Sequence, residues 1–165
     1  KAEDTCDALV TTGGVSMGDF DYVKIVLNRL GEMRWMQVAI KPAKPLAFGI
    51  VNELPVFGLP GNPVSSMVSY ELFARPALRK MSGNKNPYRT IFEGKATQDF
   101  LRKPDGKTHF FRVSADVGEG TPKIQSAGHQ GSHQLTGMAG ANALAILPDG
   151  NGVSQDATLE FLFLD

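Results

Sequence analysis

A polar stretch rich in chain-breaking residues, SGNKNP at positions 82–87, divides the sequence into two halves of different character. Before it, apolar β-prone runs alternate with segments of helical spacing, which is typical of an α/β domain. After it, short β-prone runs are separated by glycine-rich turns, and this pattern favours a small β-barrel or sandwich. We therefore predict an α/β domain at residues 1–84 and an all-β domain at residues 85–165.

The first half is predicted to open with a strand. The run Ala8–Thr12 is continuously apolar or β-prone, which indicates a strand buried on both faces. Apolar residues then recur at helical spacing from Val23 to Leu30, and Gly31 supplies a C-terminal stop. Further strands are predicted at residues 33–40, 46–51 and 55–59.

A second helix is predicted after the segment LPGNPVSS. Asn62 is a good N-cap, and Pro63 fits the first helical position, where its missing N–H costs nothing. The helical spacing runs on to Leu78, and Pro76 should kink or break the helix.

The second half is predicted to contain little helix. We expect a turn at Lys103–Gly106 and one short helix near Leu135, within residues 128–140, which are rich in Gly, His and Ser. Strands are predicted at residues 90–96, 108–117, 123–126, 143–147 and 158–164.

The charge balance argues against binding to nucleic acid or to a membrane surface. Lys plus Arg is 17 and Asp plus Glu is 17, so any anion site must be local. Cys6 is the single cysteine and excludes an intrachain disulfide, which fits a reducing compartment. No apolar run reaches the roughly 18 residues of a membrane span, and the first residues do not read as a signal peptide. We expect a cytoplasmic location.

The segment TTGGVSMGDFD at residues 11–21 predicts a strand-to-helix loop suited to an anion and a metal. Gly13 and Gly14 allow positive φ and close approach of the backbone to a ligand, and Ser16 adds a hydroxyl donor. Asp19 and Asp21 are two carboxylates that could share Mg²⁺ with phosphate oxygens. The alternative is a plain turn with aspartates capping the helix. The spacing matches neither standard nucleotide-binding glycine motif.

The segment IKPAKP at residues 40–45 holds two cations on a stiff backbone. Pro42 and Pro45 fix φ and push the preceding Lys41 and Lys44 towards extended conformations. Two such ammonium groups suit an oxyanion, although two solvated surface lysines would give the same pattern.

The segment LPGNPVSS also follows an apolar strand. Its Pro60-Gly61 turn and Asn62-Pro63 helix start suit anion binding, and a well-capped helix is the alternative. All three segments fall at strand ends of one α/β region, where such ends collect on one rim and ligands bind.

In this order and spacing, TTGGVSMGDFD, IKPAKPLAFG and VFGLPGNPVSS closely resemble the molybdopterin molybdenumtransferases of the MoeA type, which include the E domain of gephyrin. The similarity continues through Phe111-Arg112, Gln130-Gly131-Ser132 and the segment from Met138 to Pro148, and it covers essentially the whole chain.

The resemblance implies a fold and an activity. It implies the C-terminal half of a doubly wound, three-layer molybdopterin-binding α/β domain of the MoaB/Mog type, followed by a small all-β barrel-like domain. Such enzymes take adenylylated molybdopterin and molybdate as substrates, insert molybdenum into the dithiolene and release AMP, assisted by Mg²⁺. It also implies a homodimer and a molybdopterin adenylyltransferase as a partner.

The resemblance also assigns roles to residues. Asp21, Lys41 and Lys44 are expected to form the functional core, and Asp19 and Asp21 to hold the metal. The residues expected to bind substrate are Gly13, Gly14, Ser16, Gly18, Pro60, Gly61, Asn62 and Ser65.

Two departures from the family pattern bear on these expectations. The family usually has KPGKP, whereas Ala43 replaces the glycine here, so we expect this position to adopt ordinary negative φ or the loop to differ slightly in shape. The chain also begins at what the resemblance identifies as a middle strand. We therefore expect residues 1–165 alone to be inactive in molybdenum insertion, and cofactor formation by this polypeptide would contradict that.

Two other functions fit part of the pattern. An adenylyltransferase uses a similar glycine loop but normally lacks a β-domain, and a gephyrin-like scaffold would bind receptor peptides. His109, His129 and His133 are interpreted as polar loop residues rather than metal ligands.

Overall fold

The computed structural model describes residues 5–15, 22–128, 130–131 and 139–164. The chain divides into two compact units, the first comprising Lys1–Val38 with Ala43–Pro87 and the second Ala39–Pro42 with Tyr88–Asp165. Residues 39–42 thus fall with the second unit, because strand β3 (Ile40–Lys41) pairs with a strand of that unit.

The first unit contains a four-stranded mixed sheet in the order β1-β5-β4-β2. Strand β1 runs parallel to β5, whereas β4 is antiparallel to both β5 and β2. The sheet therefore combines one parallel pair with two hairpin-like pairs. Its strands are β1 (Leu9–Thr12), β2 (Gly31–Gln37), β4 (Pro45–Val51) and β5 (Leu54–Leu59).

Strand β1 is less buried than the sequence predicted. Leu9 and Thr11 are half-buried, whereas Val10 is 38% exposed and Thr12 is exposed. The expectation of burial on both faces was wrong. The strand lies at the edge of the described sheet, and its side chains alternate between a covered and an open face.

Helices cover both faces of this sheet. On one face, Leu27 of α1 (Tyr22–Leu30) packs with Val51 and Val56. On the other, Ala74 of the second helical segment packs with Leu46, Phe57 and Leu59. The first unit is thus the three-layer α/β arrangement that the sequence predicted.

The second helical segment runs past Pro76. It consists of α2 (Pro63–Ser69), a π-helical turn (Tyr70–Ala74) and α3 (Arg75–Met81). The Arg75 N–H donates to the Tyr70 carbonyl, which widens the helix immediately before the proline. Pro76 then lies in the first turn of α3, where its missing N–H is tolerated. The predicted disruption is therefore a π turn placed upstream of Pro76, and the helix continues beyond it.

The second unit is a closed β-barrel with an extra strand. The order is β10-β12-β6-β9-β8-β3, and the additional pairing of β10 with β8 closes the ring. Val113, Ile124 and Phe161 are fully buried in its core. Its main strands are β6 (Phe92–Ala96), β8 (Thr108–Asp116), β9 (Lys123–Ser126), β10 (Ala143–Leu147) and β12 (Thr158–Phe163).

Two very short strands were not predicted. β7 (Phe100–Leu101) and β11 (Gly152–Val153) form a separate two-stranded sheet. Gly152 has φ +102, and a Cβ there would collide with the Phe100 carbonyl oxygen. Two residues are too few to show an alternating pattern, so the sequence offers no periodic signal for either strand.

Candidate functional site

Two loops meet at one rim of the first unit's sheet. The parallel register pairs Thr12 with Leu59, so the carboxyl ends of β1 and β5 lie side by side. The Gly13 N–H donates to the Leu59 carbonyl at 2.9 Å and fixes the start of the first loop. This is the rim at which open α/β sheets bind ligands.

Glycines allow these two loops to come together. Gly13 and Gly14 have φ of +90° and +77°, the conformation that the motif predicted for them. A Cβ at Gly61 would lie 3.3 Å from the Gly13 Cα, closer than side chains ordinarily approach backbone. The rim is therefore lined by bare backbone where the loops touch.

Asn62 caps the helix that leaves this rim. Its Oδ1 accepts a hydrogen bond from the Ser65 N–H at 3.3 Å, and its carbonyl accepts one from the Ser66 N–H at 2.8 Å. The predicted cap is confirmed. Ser65 is only 8% exposed, so its side chain lies mostly beneath the surface. Within the LPGNPVSS segment, Gly61 and the amide group of Asn62 are therefore more accessible to a ligand than Ser65 is.

Lys44 lies at the same rim. β4 is antiparallel to β5, with Ala47 opposite Gly58, so β4 begins where β5 ends. Lys44 directly precedes β4 and is exposed, and its carbonyl accepts the Val38 N–H at 2.7 Å. No ion pair of Lys44 is found within the described residues. The structure thus brings a free cation to the glycine-lined rim.

Ala43 adopts the conformation expected of the glycine it replaces. Its φ is +77°, and it is 4% exposed. The expectation of ordinary negative φ at this position was wrong. A positive φ costs an L-residue roughly 1–2 kcal/mol, and the burial of the alanine methyl offsets part of that cost.

We expect position 43 to accept glycine but not valine. Ala43→Gly removes the backbone strain but also a buried methyl, so the free energy of unfolding should change by less than about 1 kcal/mol. Ala43→Val adds a β-branched side chain at positive φ in a buried position and should cost about 2 kcal/mol. Urea unfolding of both variants checks this, and a valine variant as stable as the glycine variant would contradict it.

Lys41 lies on the second unit's sheet. It is the last residue of β3, which pairs in parallel with β8, and it is exposed. In the register, Lys41 lies opposite His109. The two lysines of the KPAKP segment therefore belong to different units, since Lys41 lies in β3 and Lys44 directly precedes β4.

An ionic cluster around a buried arginine side chain adjoins this strand, and the sequence did not reveal it. Arg102 has a side chain 1% exposed and binds Asp105 Oδ1 and Asp149 Oδ1, both at 2.8 Å. The His109 Nε2 lies 3.1 Å from Asp105 Oδ1. The spacing of Asp105 and His109 across the predicted KPDG turn was the available signal.

His109 is a buried strand residue, so its interpretation as a polar loop residue was wrong. It lies on β8, is 5% exposed, and its ring stacks on Phe111 with centroids 6.0 Å apart. Burial lowers the pKa of His109, and the hydrogen bond that its ring shares with the Asp105 carboxylate opposes that shift only in part. The hydrogen bond with Lys107, followed by that with His109, lowers the pKa of Asp105 to about 2.

The lowered pKa of His109 predicts a loss of stability in acid. Below about pH 6.5 the histidine is protonated in the unfolded chain but resists protonation in the folded one. The unfolded state then binds more protons, so the free energy of unfolding should fall from pH 7.5 to pH 5. Urea unfolding of wild type and His109→Gln at both pH values isolates this effect, because His129 and His133 are present in both. Equal pH slopes would contradict the prediction.

Segment 130–131 is attached to β8 by a further set of bonds. The Arg112 N–H donates to Gln130 Oε1 at 2.8 Å, and Gln130 Nε2 donates to the Arg112 carbonyl at 2.9 Å. The guanidinium of Arg112 donates to the Gly131 carbonyl at 3.1 Å. These bonds involve residues that carried the resemblance in the second half.

Several predicted residues lie outside the described part of the chain. They are Ser16, Gly18, Asp19, Asp21, His129, Ser132, His133 and Leu135. Within the described ranges, no group of three or more His, Cys, Asp or Glu residues is placed to hold a metal ion. Nor is any helix in those ranges long and apolar enough to span a membrane.

Comparison with known families assigns each unit a class. Residues 1–80 match the family described as "Probable molybdopterin binding domain", and residues 95–164 match "MoeA C-terminal region (domain IV)". The chain thus combines a domain of the molybdopterin-binding class with a MoeA-type β-domain. In this combination the chain is similar to the molybdopterin molybdenumtransferases.

Individual relatives agree with this. The molybdopterin molybdenumtransferase of Haemophilus influenzae is 36% identical over 156 residues, covering 92% of this chain and 38% of the relative. That of Bacillus subtilis is 35% identical over 160 residues, covering 96% and 37%. This chain therefore spans little more than a third of the length of these relatives.

Solved structures share the fold. A molybdopterin biosynthesis moeA protein from Pyrococcus horikoshii superposes with a TM-score of 0.75 at 23% identity, covering 98% of this chain and 38% of that one. A molybdenum cofactor biosynthesis protein from Pyrococcus furiosus gives 0.69 at 22% identity, covering 98% and 51%. The predicted fold class, an α/β domain followed by a small β-barrel, is confirmed.

Proposed function

We propose that this chain supplies the molybdopterin-binding rim and the β-barrel of an enzyme of molybdenum cofactor biosynthesis. The reaction inserts molybdate into adenylylated molybdopterin and releases AMP. The observation that carries this proposal is the rim of the first unit, which matches the molybdopterin-binding family. Two glycine-lined loops meet there with Lys44, which makes no ion pair among the described residues.

The rim suits a phosphate group. Gly13, Gly14 and Gly61 expose backbone to a ligand without side chains in the way, and backbone N–H groups at such turns bind anions. Lys44 adds a positive charge that can stabilise phosphate or molybdate oxygens. Release of AMP leaves negative charge on the departing phosphate, and a fixed cation lowers the energy of that charge.

Mg²⁺ fits the donor chemistry of the first loop. Asp19 and Asp21 would hold it through carboxylate oxygens, the ligands that this hard cation prefers, together with substrate phosphate oxygens. When bound, the ion would neutralise phosphate charge. Ser16 and Gly18 of the same loop, and Pro60, Asn62 and Ser65 of the second, are proposed to shape the binding site around it.

Quaternary structure and location are proposed from the resemblance alone. We propose that the protein containing this chain is a cytoplasmic homodimer that receives its substrate from a molybdopterin adenylyltransferase partner. Light scattering of that protein tests the dimer.

The adenylyltransferase alternative is not favoured. Residues 95–164 match the MoeA C-terminal region, and the structure folds them into a barrel. The scaffold function stays a prediction, which a pull-down with receptor peptides would test.

Substitution of Lys44 tests the proposed function directly. Lys44→Met should weaken binding of adenylylated molybdopterin to the chain about tenfold, since a charge-assisted hydrogen bond contributes roughly 1.5–3 kcal/mol. Lys85→Met is the matched control, because Lys85 is an exposed lysine of the same unit in the breaker-rich stretch. Isothermal titration calorimetry gives the two affinities. Equal affinities of wild type and Lys44→Met, or equal losses in both variants, would overturn the role of Lys44.

A further inference from the structure

A buried histidine, paired with a more exposed aspartate, lies on the strand next to the one that carries Lys41. β3 is fixed to β8 by parallel pairing, and the Thr108 N–H donates to the Ala39 carbonyl at 2.9 Å. The register then places Lys41 opposite His109. The positive charge of Lys41 is one of the causes that lower the pKa of His109, so the two side chains lie within electrostatic range.

Both oxygens of the Asp105 carboxylate already accept hydrogen bonds. Asp105 Oδ1 accepts from Arg102 at 2.8 Å and lies 3.1 Å from His109 Nε2, while Oδ2 accepts from Lys107 at 3.0 Å. His109 Nε2 also lies 3.2 Å from Oδ2, so the roughly four lone-pair sites of the carboxylate have little capacity for a further donor. Among the described residues, Lys41 makes no ion pair with it or with any other acid.

The surroundings of His109 keep its imidazole ring neutral. The charged groups that face it are Asp105, Arg102 and Lys41, and Lys107 reaches it through Asp105. Burial lowers its pKa, so at neutral pH the ring is uncharged, shares a hydrogen bond with Asp105 and adds no positive charge beside Lys41.

We propose that His109 and Asp105 are positioning residues for Lys41. His109, which lies opposite Lys41 in the strand register, occupies acceptor positions on both oxygens of Asp105, so that carboxylate does not capture the Lys41 ammonium, which stays available to an oxyanion. This inference rests on the proposed function and on the expectation, from the resemblance, that Lys41 belongs to the functional core and binds an oxyanion. It explains, from contacts within the second unit, why the Lys41 ammonium makes no ion pair among the described residues.

Two substitutions separate positioning from simple packing. His109→Leu removes the donor to Asp105, which leaves an acceptor for Lys41 and should weaken molybdate binding about fivefold. His109→Gln keeps an N–H donor at a similar reach and should bind within twofold of wild type. The probe is sodium molybdate, titrated into the full 165-residue chain and followed by calorimetry, with thermal unfolding to show that each variant is folded.

A double-mutant cycle with Lys41 completes the test. Lys41→Met should lower molybdate affinity by itself, and His109→Leu should have no further effect in that background. An equal loss from His109→Leu with and without Lys41, or failure of His109→Gln to retain binding, would overturn the positioning role. If Lys41→Met has no effect, the ligand role of Lys41 and this inference both fail. The proposed function of the rim is tested separately by Lys44→Met.

Discussion

Replacement of Arg102 with glutamine is expected to lower the free energy of unfolding by about 3 kcal/mol. The guanidinium makes five hydrogen bonds, three to the Lys107, Leu147 and Pro148 carbonyls and two to the carboxylates of Asp105 and Asp149. Glutamine is too short to reach them all. The loss of one member of a buried ionic network typically costs several kcal/mol, and solvent access to both aspartates reduces that cost here.

Urea unfolding with Lys103→Gln as the neighbouring control measures this effect. Lys103 is exposed and has no role in the cluster, so its replacement should change stability by less than about 0.5 kcal/mol. Indistinguishable midpoints for the two variants would show that the Arg102 cluster contributes little to the barrel.

Gly61→Val is expected to weaken binding of adenylylated molybdopterin about thirtyfold, or about 2 kcal/mol. Its Cβ would lie 3.3 Å from the Gly13 Cα, and the branched side chain would push the two rim loops apart. Displacement of binding groups by about 1 Å is enough to cause losses of this size.

The control for this variant is Gly118→Val in the second unit. A Cβ at Gly118 would meet only Asp116 Oδ1, at an ordinary 3.7 Å. This variant should therefore bind the ligand as wild type does. Calorimetry compares the two, and tight binding by Gly61→Val would mean that the rim loops are not part of the ligand site.

The sequence predicted features that depend on local chemistry. The Asn62 cap, positive φ at Gly13 and Gly14, and strands 123–126 and 143–147 are seen as expected, because each follows from residues within a few positions of one another. The convergence of the strand-end segments at one rim was predicted from the general behaviour of α/β sheets, and it holds for Gly13, Lys44 and Gly61.

Features set by long-range packing were not predictable in this way. Tertiary packing places Ala43 at positive φ against its own preference, and the pairing of Ile40–Lys41 with β8 depends on residues far along the chain. The burial of His109 depends likewise on the barrel that closes around it. None of these has a local periodic signal.

The pairing of β3 with β8 has a consequence for how the chain acquires its structure. β3 lies in sequence between the first unit's β2 and β4, yet its hydrogen-bonding partner begins only at Thr108. During synthesis, β3, which carries Lys41, therefore cannot pair with β8 until the barrel strands have been made. Contacts of such sequence separation form late, because the intervening loop must close first. Local order at Lys41 should therefore report on completion of the barrel, and a polypeptide that ends at Pro87 should lack it.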